Sequence, residues 1–262
     1  VYYIQEVDFN SISEMRNLYY RQIIAPMDDF WEEGIIPSCS FYTYKKGSIT
    51  GYYAINEEKY LVQFYVNDSV LYNRVFKEII TQVKITDIYV STYDSLLYKA
   101  CKTFSNNFEI NTLLFKEDTK KSPIAPISSI IYRLATTSEV KRAVEYNKLE
   151  LEDEGDWIQN YYEKLIKKSG LYFFMIGNTI VGTGESRKSI SSKNIANIGV
   201  TVAKDYRRKG IATYIINTMR EINNNIGYKT ICSTTRENIN SQKTLIKCGY
   251  KIYHLIYTVK IN

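Results

Sequence analysis

The chain has 262 residues, 45% of them apolar, a formal charge of +6 and a single histidine. That suits one large globular domain or two ordinary ones, and no stretch approaches the roughly 18–20 apolar residues of a membrane span; "LYFFMIG" is among the more apolar windows. Lone His254 excludes any site built on two histidines, and Cys39, Cys101, Cys232 and Cys248 form no CxxC pair, so we expect no metal and four buried, reduced thiols in a cytoplasmic protein.

The start, "VYYIQEVDF", lacks the basic-then-apolar layout of a signal peptide. It also lacks an initiator methionine, which implies a trimmed or internal start. "SCSFYTYKKGSITGYYAI" and "KYLVQFYV" read as strands separated by polar turns, "VLYNRVFKEIITQV" as a helix and "DIYVST" as a strand. "KEDTKKSPIAPISS", Lys116 to Ser129, is charged and then rich in proline and serine, the composition of a linker. Beyond it "GLYFFMIGNTIVGTGES" and "NIANIGVTVA" read as strands. In "IATYIINTMREINNN", Ile211, Ile215, Met219 and Ile222 fall on one helix face, and "KTICST" is a further strand. His254 lies in the apolar-rich last strand, "GYKIYHLIYTVKIN", where a packed structural role is expected.

The two halves end alike. "ITDIYVSTYDSLLYKACKTFSNNFEINTLLF" and "GYKTICSTTRENINSQKTLIKCGYKIYHLIY" share the layout strand, turn, short helix, strand, as a diverged internal repeat would. Their charges differ. Residues 1–130 hold 13 basic and 16 acidic side chains, whereas residues 131–262 hold 21 and 12. The cationic excess of the second half suits a polyanionic ligand there.

The stretch "VTVAKDYRRKGIA", Val200 to Ala212, offers a place for one. A strand runs into three cations and a glycine, and the glycine opens a helix. The first N–H groups of a helix lack intrahelical partners and carry about half a positive charge, and glycine lets a phosphate come close to them. Read alone, the stretch is equally an ordinary solvated turn. No G-x-x-x-x-G-K-[ST] occurs, and "GTGESR" places Arg187 where a dinucleotide fingerprint needs its third glycine.

A second segment, "NINSQKTLIKCGY" from Asn238 to Tyr250, follows Gly210 by 28 residues. Together the two resemble the acetyl-CoA-binding region of the GNAT superfamily of N-acetyltransferases. The signature (Q/R)-x-x-G-x-(G/A) falls on Arg207, Gly210 and Ala212, the preceding V-x-V strand on Val200 and Val202, and the later N-x-x-(A/S)…K-x-G-(F/Y) segment on Asn238, Ser241, Lys247, Gly249 and Tyr250. The resemblance implies an α/β (mixed α+β) fold of two GNAT-like domains, each a mixed, mostly antiparallel sheet flanked by helices. It divides the chain into a degenerate domain without the cofactor loop (1–118), a linker (119–130) and an acetyl-CoA-binding catalytic domain (131–262). It further implies that Val200, Thr201 and Val202 face the pantetheine arm, that Arg207, Arg208, Lys209, Gly210, Ile211, Ala212 and Thr213 hold the pyrophosphate, and that Asn238 and Ser241 lie near the thioester.

The catalytic groups are less plain. An amine of pKa about 10.4 is neutral in only about 1 part in 2,500 at pH 7, so freeing the nucleophile costs about 4.6 kcal/mol. Many family members supply a glutamate where this chain has Asn197, and a tyrosine acid where it has Leu245. Glu185 is the substitute base and Asn197 a hydrogen-bonding contributor, with Tyr253 or a tyrosine of the first half as candidate acid. Glu152, Asp153, Glu154 and Asp156, in "ELEDEGDW", would attract a cationic amine or form a solvated acidic turn. The expected activity is acetyl transfer from acetyl-CoA to a primary amine of a small molecule, by direct transfer in a ternary complex; the alternative is an acyl-CoA sensor without turnover. No nucleic-acid or membrane partner is expected.

Overall fold

The strands β2–β5 and β8–β11 form where alternating or continuous apolar runs foretell them, and α2 and α6 where apolar residues recur at helical spacing. The protein is described here by a computed structural model covering residues 1–118, 127–152 and 154–261. The first half contains β1 (Tyr3–Val7), α1 (Ser13–Gln22), β2 (Ser40–Lys46), β3 (Ile49–Ile55), β4 (Leu61–Val66), α2 (Tyr72–Val83), β5 (Asp87–Ser91), α3 (Ser95–Phe104) and β6 (Asn107–Glu117). The second contains β7 (Ile131–Leu134), α4 (Val140–Leu151), α5 (Trp157–Lys167), β8 (Leu171–Ile176), β9 (Thr179–Lys188), β10 (Ile195–Val202), α6 (Ile211–Asn225), β11 (Lys229–Thr235), α7 (Ile239–Lys247) and β12 (Tyr250–Lys260). Of the proline-rich linker, residues 119–126 lie outside the described residues.

Burial explains the individual elements. Tyr72, Val75, Phe76, Ile79 and Ile80 form the buried face of α2, and all six residues of β4 are buried, as a strand covered on both faces requires. Residues 8–37 show no clear period. They nevertheless fold into α1 and a π-helical turn, Phe30–Ile35, because Ile12, Tyr19, Met27, Trp31 and Ile36 reach one apolar cluster with Tyr52 and Tyr65.

The strands form a single mixed sheet in the order β1-β2-β3-β4-β5-β12-β6-β11-β10-β9-β8-β7. Most neighbours are antiparallel; β4–β5 and β10–β11 are parallel. The halves exchange their last strands. The C-terminal β12 pairs with β5 (Ile256 opposite Ser91, Lys260 opposite Asp87), and β6 pairs with β11 (Ile231 opposite Lys116, Thr235 opposite Thr112). Between them β6 and β12 pair antiparallel from Tyr250–Glu117 to Lys260–Asn107. The cores follow the exchange: Ile256 and Val259 are buried in first-half clusters, and Phe115 in the second-half cluster around α6.

Strands traded in this way couple the halves into one folding unit. Calorimetry of the whole chain is expected to show one transition. Phe76→Ala, which removes a fully buried ring from α2, should move that whole transition down by about 3–5 kcal/mol; two separable transitions would show that the halves unfold independently.

Candidate active site

β10 and β11 begin as parallel neighbours and then part. Ile195–Asn197 pair with Lys229–Ile231, and the ladder stops there, while β10 stays on β9 as far as Val202 opposite Gly182. The wedge so opened holds a cavity of about 340 Å³, walled by Gly199, Val200 and Thr201 on one strand, Cys232–Thr234 on the other, and Asn238, Ser241 and Leu245 of α7. Asn238 caps α7, its side-chain oxygen accepting from the Ser241 N–H at 3.1 Å.

The turn after β10 has the geometry that an anion site needs. Arg208 (φ +61°) and Gly210 (φ +80°) are left-handed, no side chain caps the 15-residue α6, and a Cβ on Gly210 would meet nothing within 4 Å. The backbone N–H groups of Ile211, Ala212 and Thr213 therefore face open space at the positive end of the helix. The cations differ in their engagement. Arg207 donates to the Val202 carbonyl at 3.0 Å and the Glu150 carbonyl at 3.1 Å, tying the turn to β10 and α4. The Lys209 ammonium meets the Asp205 carbonyl at 2.9 Å and lies 5.1 Å over the Tyr206 ring. Arg208 is exposed and makes no hydrogen bond or ion pair among the described residues. These residues fit a pyrophosphate: unsatisfied N–H groups, an uncluttered glycine and the exposed, unpaired charge of Arg208.

Glu185 reaches the cavity from β9 but is already engaged. Its carboxylate accepts from the Tyr161 hydroxyl at 2.7 Å and the Tyr162 hydroxyl at 3.1 Å, and it pairs with Arg187. Arg187 also pairs with Asp29, a residue of the first half. Burial pushes both tyrosine hydroxyls well above their ordinary pKa, with Glu185 adding to the shift, so both remain protonated donors. Gly199 lies opposite Glu185, and a Cβ there would come within 2.9 Å of its Oε2, so a larger residue would displace the carboxylate. Asn197 lies opposite Arg187 on the same sheet face, 1% exposed, with neither amide atom partnered among the described residues.

A second cavity, of about 640 Å³, lies on the first-half side of the wedge. Phe30, Ser233, Thr234 and Asn238 border both cavities, and Asp28, Trp31, Glu57, Glu58 and Tyr89 line only the larger one. No sequence motif marks Asp28, Asp29, Tyr161 or Tyr162. The adjacent acids of "MDDF" were the one available signal, and nothing in the pattern placed them opposite β11.

The acidic run turns elsewhere. Glu150 accepts from the Lys204 N–H at 2.7 Å, Glu152 pairs with Lys204 and exposed Glu154 with Lys148; none of Glu152, Glu154 and Asp156 borders either cavity. Glu150 and Glu152 brace the turn that carries Arg207, and Asp153 lies outside the described residues. His254 is packed between Tyr93 and Tyr253, its Nδ1 2.9 Å from the Thr92 hydroxyl.

The first half repeats the wedge and fills it. Leu61 opposite Ile88 is the one ladder pair between β4 and β5 among the described residues. The space beyond shrinks to about 10 Å³, bordered by Tyr19, Trp31 and Tyr93. Asp94 caps α3 as Asn238 caps α7, accepting from the Leu97 N–H at 3.1 Å, and also binds the Tyr19 hydroxyl at 2.9 Å. Ahead of α2, where the second half has its glycine turn, the Asp68 carboxylate accepts from the Val70 N–H at 2.9 Å.

Two comparisons with known proteins bear on the family and the fold. Models of the acetyltransferase (GNAT) domain match residues 8–118 and residues 127–251. The chain belongs to the GNAT acetyltransferase family. Its tandem fold resembles that of an acetyltransferase from the GNAT family from Colwellia psychrerythraea, at 22% identity and a TM-score of 0.92 over 99% of this chain and 100% of that one. A tandem GNAT protein from the clavulanic acid biosynthesis pathway is similar at 10% identity and a TM-score of 0.62, over 99% of this chain and 98% of that one. A GCN5-related N-acetyltransferase from Sphaerobacter thermophilus matches at 10% identity and a TM-score of 0.63, over 100% of this chain and 96% of that one. No curated protein matches the sequence. Membership makes this GNAT protein an acetyltransferase that draws on an acyl-CoA, and none of its described helices is long and apolar enough to cross a membrane.

Two substitutions test the site. Acetyl-CoA at about 100 times its Kd should stabilise the wild type by about 2.7 kcal/mol, and Gly210→Glu, which brings a carboxylate to the anion site, should abolish that thermal shift while still folding. Asn197→Leu removes two unpartnered buried atoms, so its unfolding temperature should stay level or rise, since an unpaired buried polar group costs about 1–3 kcal/mol; a marked fall would show that the amide has a structural partner.

Proposed function

We propose that the protein transfers an acetyl group from acetyl-CoA to a primary amine of a small molecule, directly within a ternary complex. The observation that carries this reading is the wall of Phe30, Ser233, Thr234 and Asn238 shared by the two cavities. The wedge beside the Gly210 turn would take the pantetheine arm along Val200, Thr201 and Val202, with the pyrophosphate on the turn from Arg207 to Thr213. The larger cavity would take the acceptor. Thioester and amine would then meet at the shared wall, and positioning of this kind removes much of a bimolecular barrier.

Direct transfer is supported by the thiol next to that wall, Cys232, which borders the wedge. Burial pushes Cys232 well above the ordinary thiol range, and the nearby Asp28 charge pushes it further, so its thiolate is disfavoured as a covalent carrier. Leu245 at the wedge offers no proton, so the departing sulfur would take one from the attacking nitrogen. Glu185, with both oxygens engaged by tyrosines and Arg187, would act by holding the wall in place more readily than by accepting a proton.

The first half would bind no CoA, since Asp68 caps the short turn Ser69–Leu71 ahead of the equivalent helix and aromatic rings fill its wedge. Its role would be to close the acceptor cavity, and four buried thiols suit a cytoplasmic setting. A non-catalytic acyl-CoA sensor is the second reading, favoured by Asn197 and Leu245 at the positions that would otherwise hold a base and an acid.

Release of CoA thiol from acetyl-CoA, followed over a panel of small primary amines, separates the two. Amine-dependent release with intersecting double-reciprocal lines is expected. A protein that shows the acetyl-CoA thermal shift but releases no thiol with any amine is the sensor, and parallel lines would require a covalent carrier.

A further inference from the structure

Asp28 belongs to the first half of the chain yet sits where the two cavities meet. It is 5% exposed and lines the larger cavity. Its carboxylate accepts from the Phe30 N–H at 3.1 Å, and the hydroxyl of Ser233, a residue bordering both cavities, lies near enough to lower its pKa. The other buried carboxylates nearby are occupied: Asp29 and Glu185 both pair with Arg187. Among the described residues lining either cavity, Asp28 is the buried carboxylate with no cation in contact.

The rest of the cavity has a consistent chemistry. Glu57 and Glu58 lie exposed at its border, with no ion pair among the described residues. Trp31 and Tyr89, edge to face with ring centroids 5.7 Å apart, supply aromatic surface for methylene groups and a second cation. A volume of about 640 Å³ lies within the range of small-molecule sites and exceeds what a short monoamine fills.

Resting on the acetyl-transfer reading, we propose that Asp28 accepts the proton of the acceptor amine, and that the acceptor is a small linear di- or polyamine whose second ammonium lies against Glu57 and Glu58. The ammonium nearest Ser233 gives one proton to the Asp28 carboxylate. The freed nitrogen lone pair forms the C–N bond at the thioester carbonyl, the C–S bond breaks, and the sulfur takes the second proton from that nitrogen to leave as CoA thiol. Asp28 then returns its proton to water through the larger cavity.

Burial raises Asp28 above the ordinary aspartate range, while the Ser233 hydroxyl and Arg187 pull it back. Arg187 faces it from β9 beside Asp29, Cys232 from β11, Tyr93 from the turn after β5 and Tyr253 from β12, with Glu57 and Glu58 across the cavity. The thiol and both hydroxyls are shifted upward and stay neutral in acid. A base works only when ionised, so kcat/KM should fall with falling pH through an apparent pKa above that of ordinary aspartate.

The test compares spermidine with n-butylamine as acceptors at saturating acetyl-CoA, with the acetyl-CoA thermal shift measured for every variant. Asp28→Asn should keep that shift, lose about 10²–10⁴-fold in kcat/KM for spermidine and lose the acid limb of the pH profile. Ser233→Ala, which removes a donor to the carboxylate, should move the acid limb to higher pH. The double variant Glu57→Gln/Glu58→Gln should raise KM about 2–10-fold for spermidine, the scale of two exposed charge contacts, and leave n-butylamine unchanged. Transfer by Asp28→Asn within threefold of wild type, or an unmoved acid limb in Ser233→Ala, overturns the assignment of the base. Equal effects of the double variant on both amines overturn the acceptor class. If the wild type shows the acetyl-CoA shift but acetylates neither amine, calorimetric binding of spermidine to the CoA-saturated protein decides: binding lost in Asp28→Asn supports the site, and binding that is absent or unaltered overturns it. A wild type without the acetyl-CoA shift fails earlier, at the acetyl-transfer reading itself.

Discussion

The pairing of β6 with β12 is the constraint on which the rest of the molecule depends. Each is an 11-residue strand that leaves its own half and lies against the other's fifth strand, so the two sheets become one. Backbone hydrogen bonding drives this, since a strand laid between β5 and β6, or between β11 and β12, satisfies both of its edges. The consequence is positional. With the sheets locked edge to edge, the irregular segment around residues 28–33 is held against the open wedge of the second half.

That segment is fastened by charge as well as by packing. Asp29 pairs with largely buried Arg187, the Glu32 carboxylate accepts from the Ile190 N–H at 3.2 Å, and Glu33 meets Lys168 at 3.0 Å. The first pair matters most. A guanidinium buried with one partner missing costs about 3–5 kcal/mol, so Arg187, shared between Asp29 and Glu185, ties the first-half segment to the tyrosines lining the wedge. The uneven charge along the chain acquires a spatial meaning here. The cationic half presents the anion turn, and the acidic half lines the larger cavity.

The halves also show how one wedge is kept open and the other closed. Both have a parallel pair that splays, and both cap the following helix with the side chain of its preceding residue, Asp94 or Asn238. The differences are small and local. Asp68 puts a carboxylate at the start of its helix turn where Gly210 leaves N–H groups bare, and Tyr19, Trp31 and Tyr93 occupy the space that the second half leaves as a cavity.

Much of this was legible in the sequence, for reasons that are local. Alternation and helical spacing announced β2–β5, α2, β8–β11 and α6 because burial of one face depends only on near neighbours along the chain. The Gly210 turn was legible because positive φ and close backbone approach select glycine at one position. What tertiary structure alone decided has no local signature. Strand exchange depends on which edge a strand meets and not on its own pattern; Asp29 finds its cation, Arg187, 158 positions away, and Asp28 meets a cavity wall that β11 completes; Glu185, conspicuous in "GTGES", is engaged by Tyr161, Tyr162 and Arg187 in a way its spacing does not reveal. The sequence determined by itself most strands, α2, α6 and the glycine turn after β10, because backbone geometry is written in adjacent residues. The partner of each buried charge was decided only by the fold, because desolvation and ion pairing act between side chains that the chain brings together last.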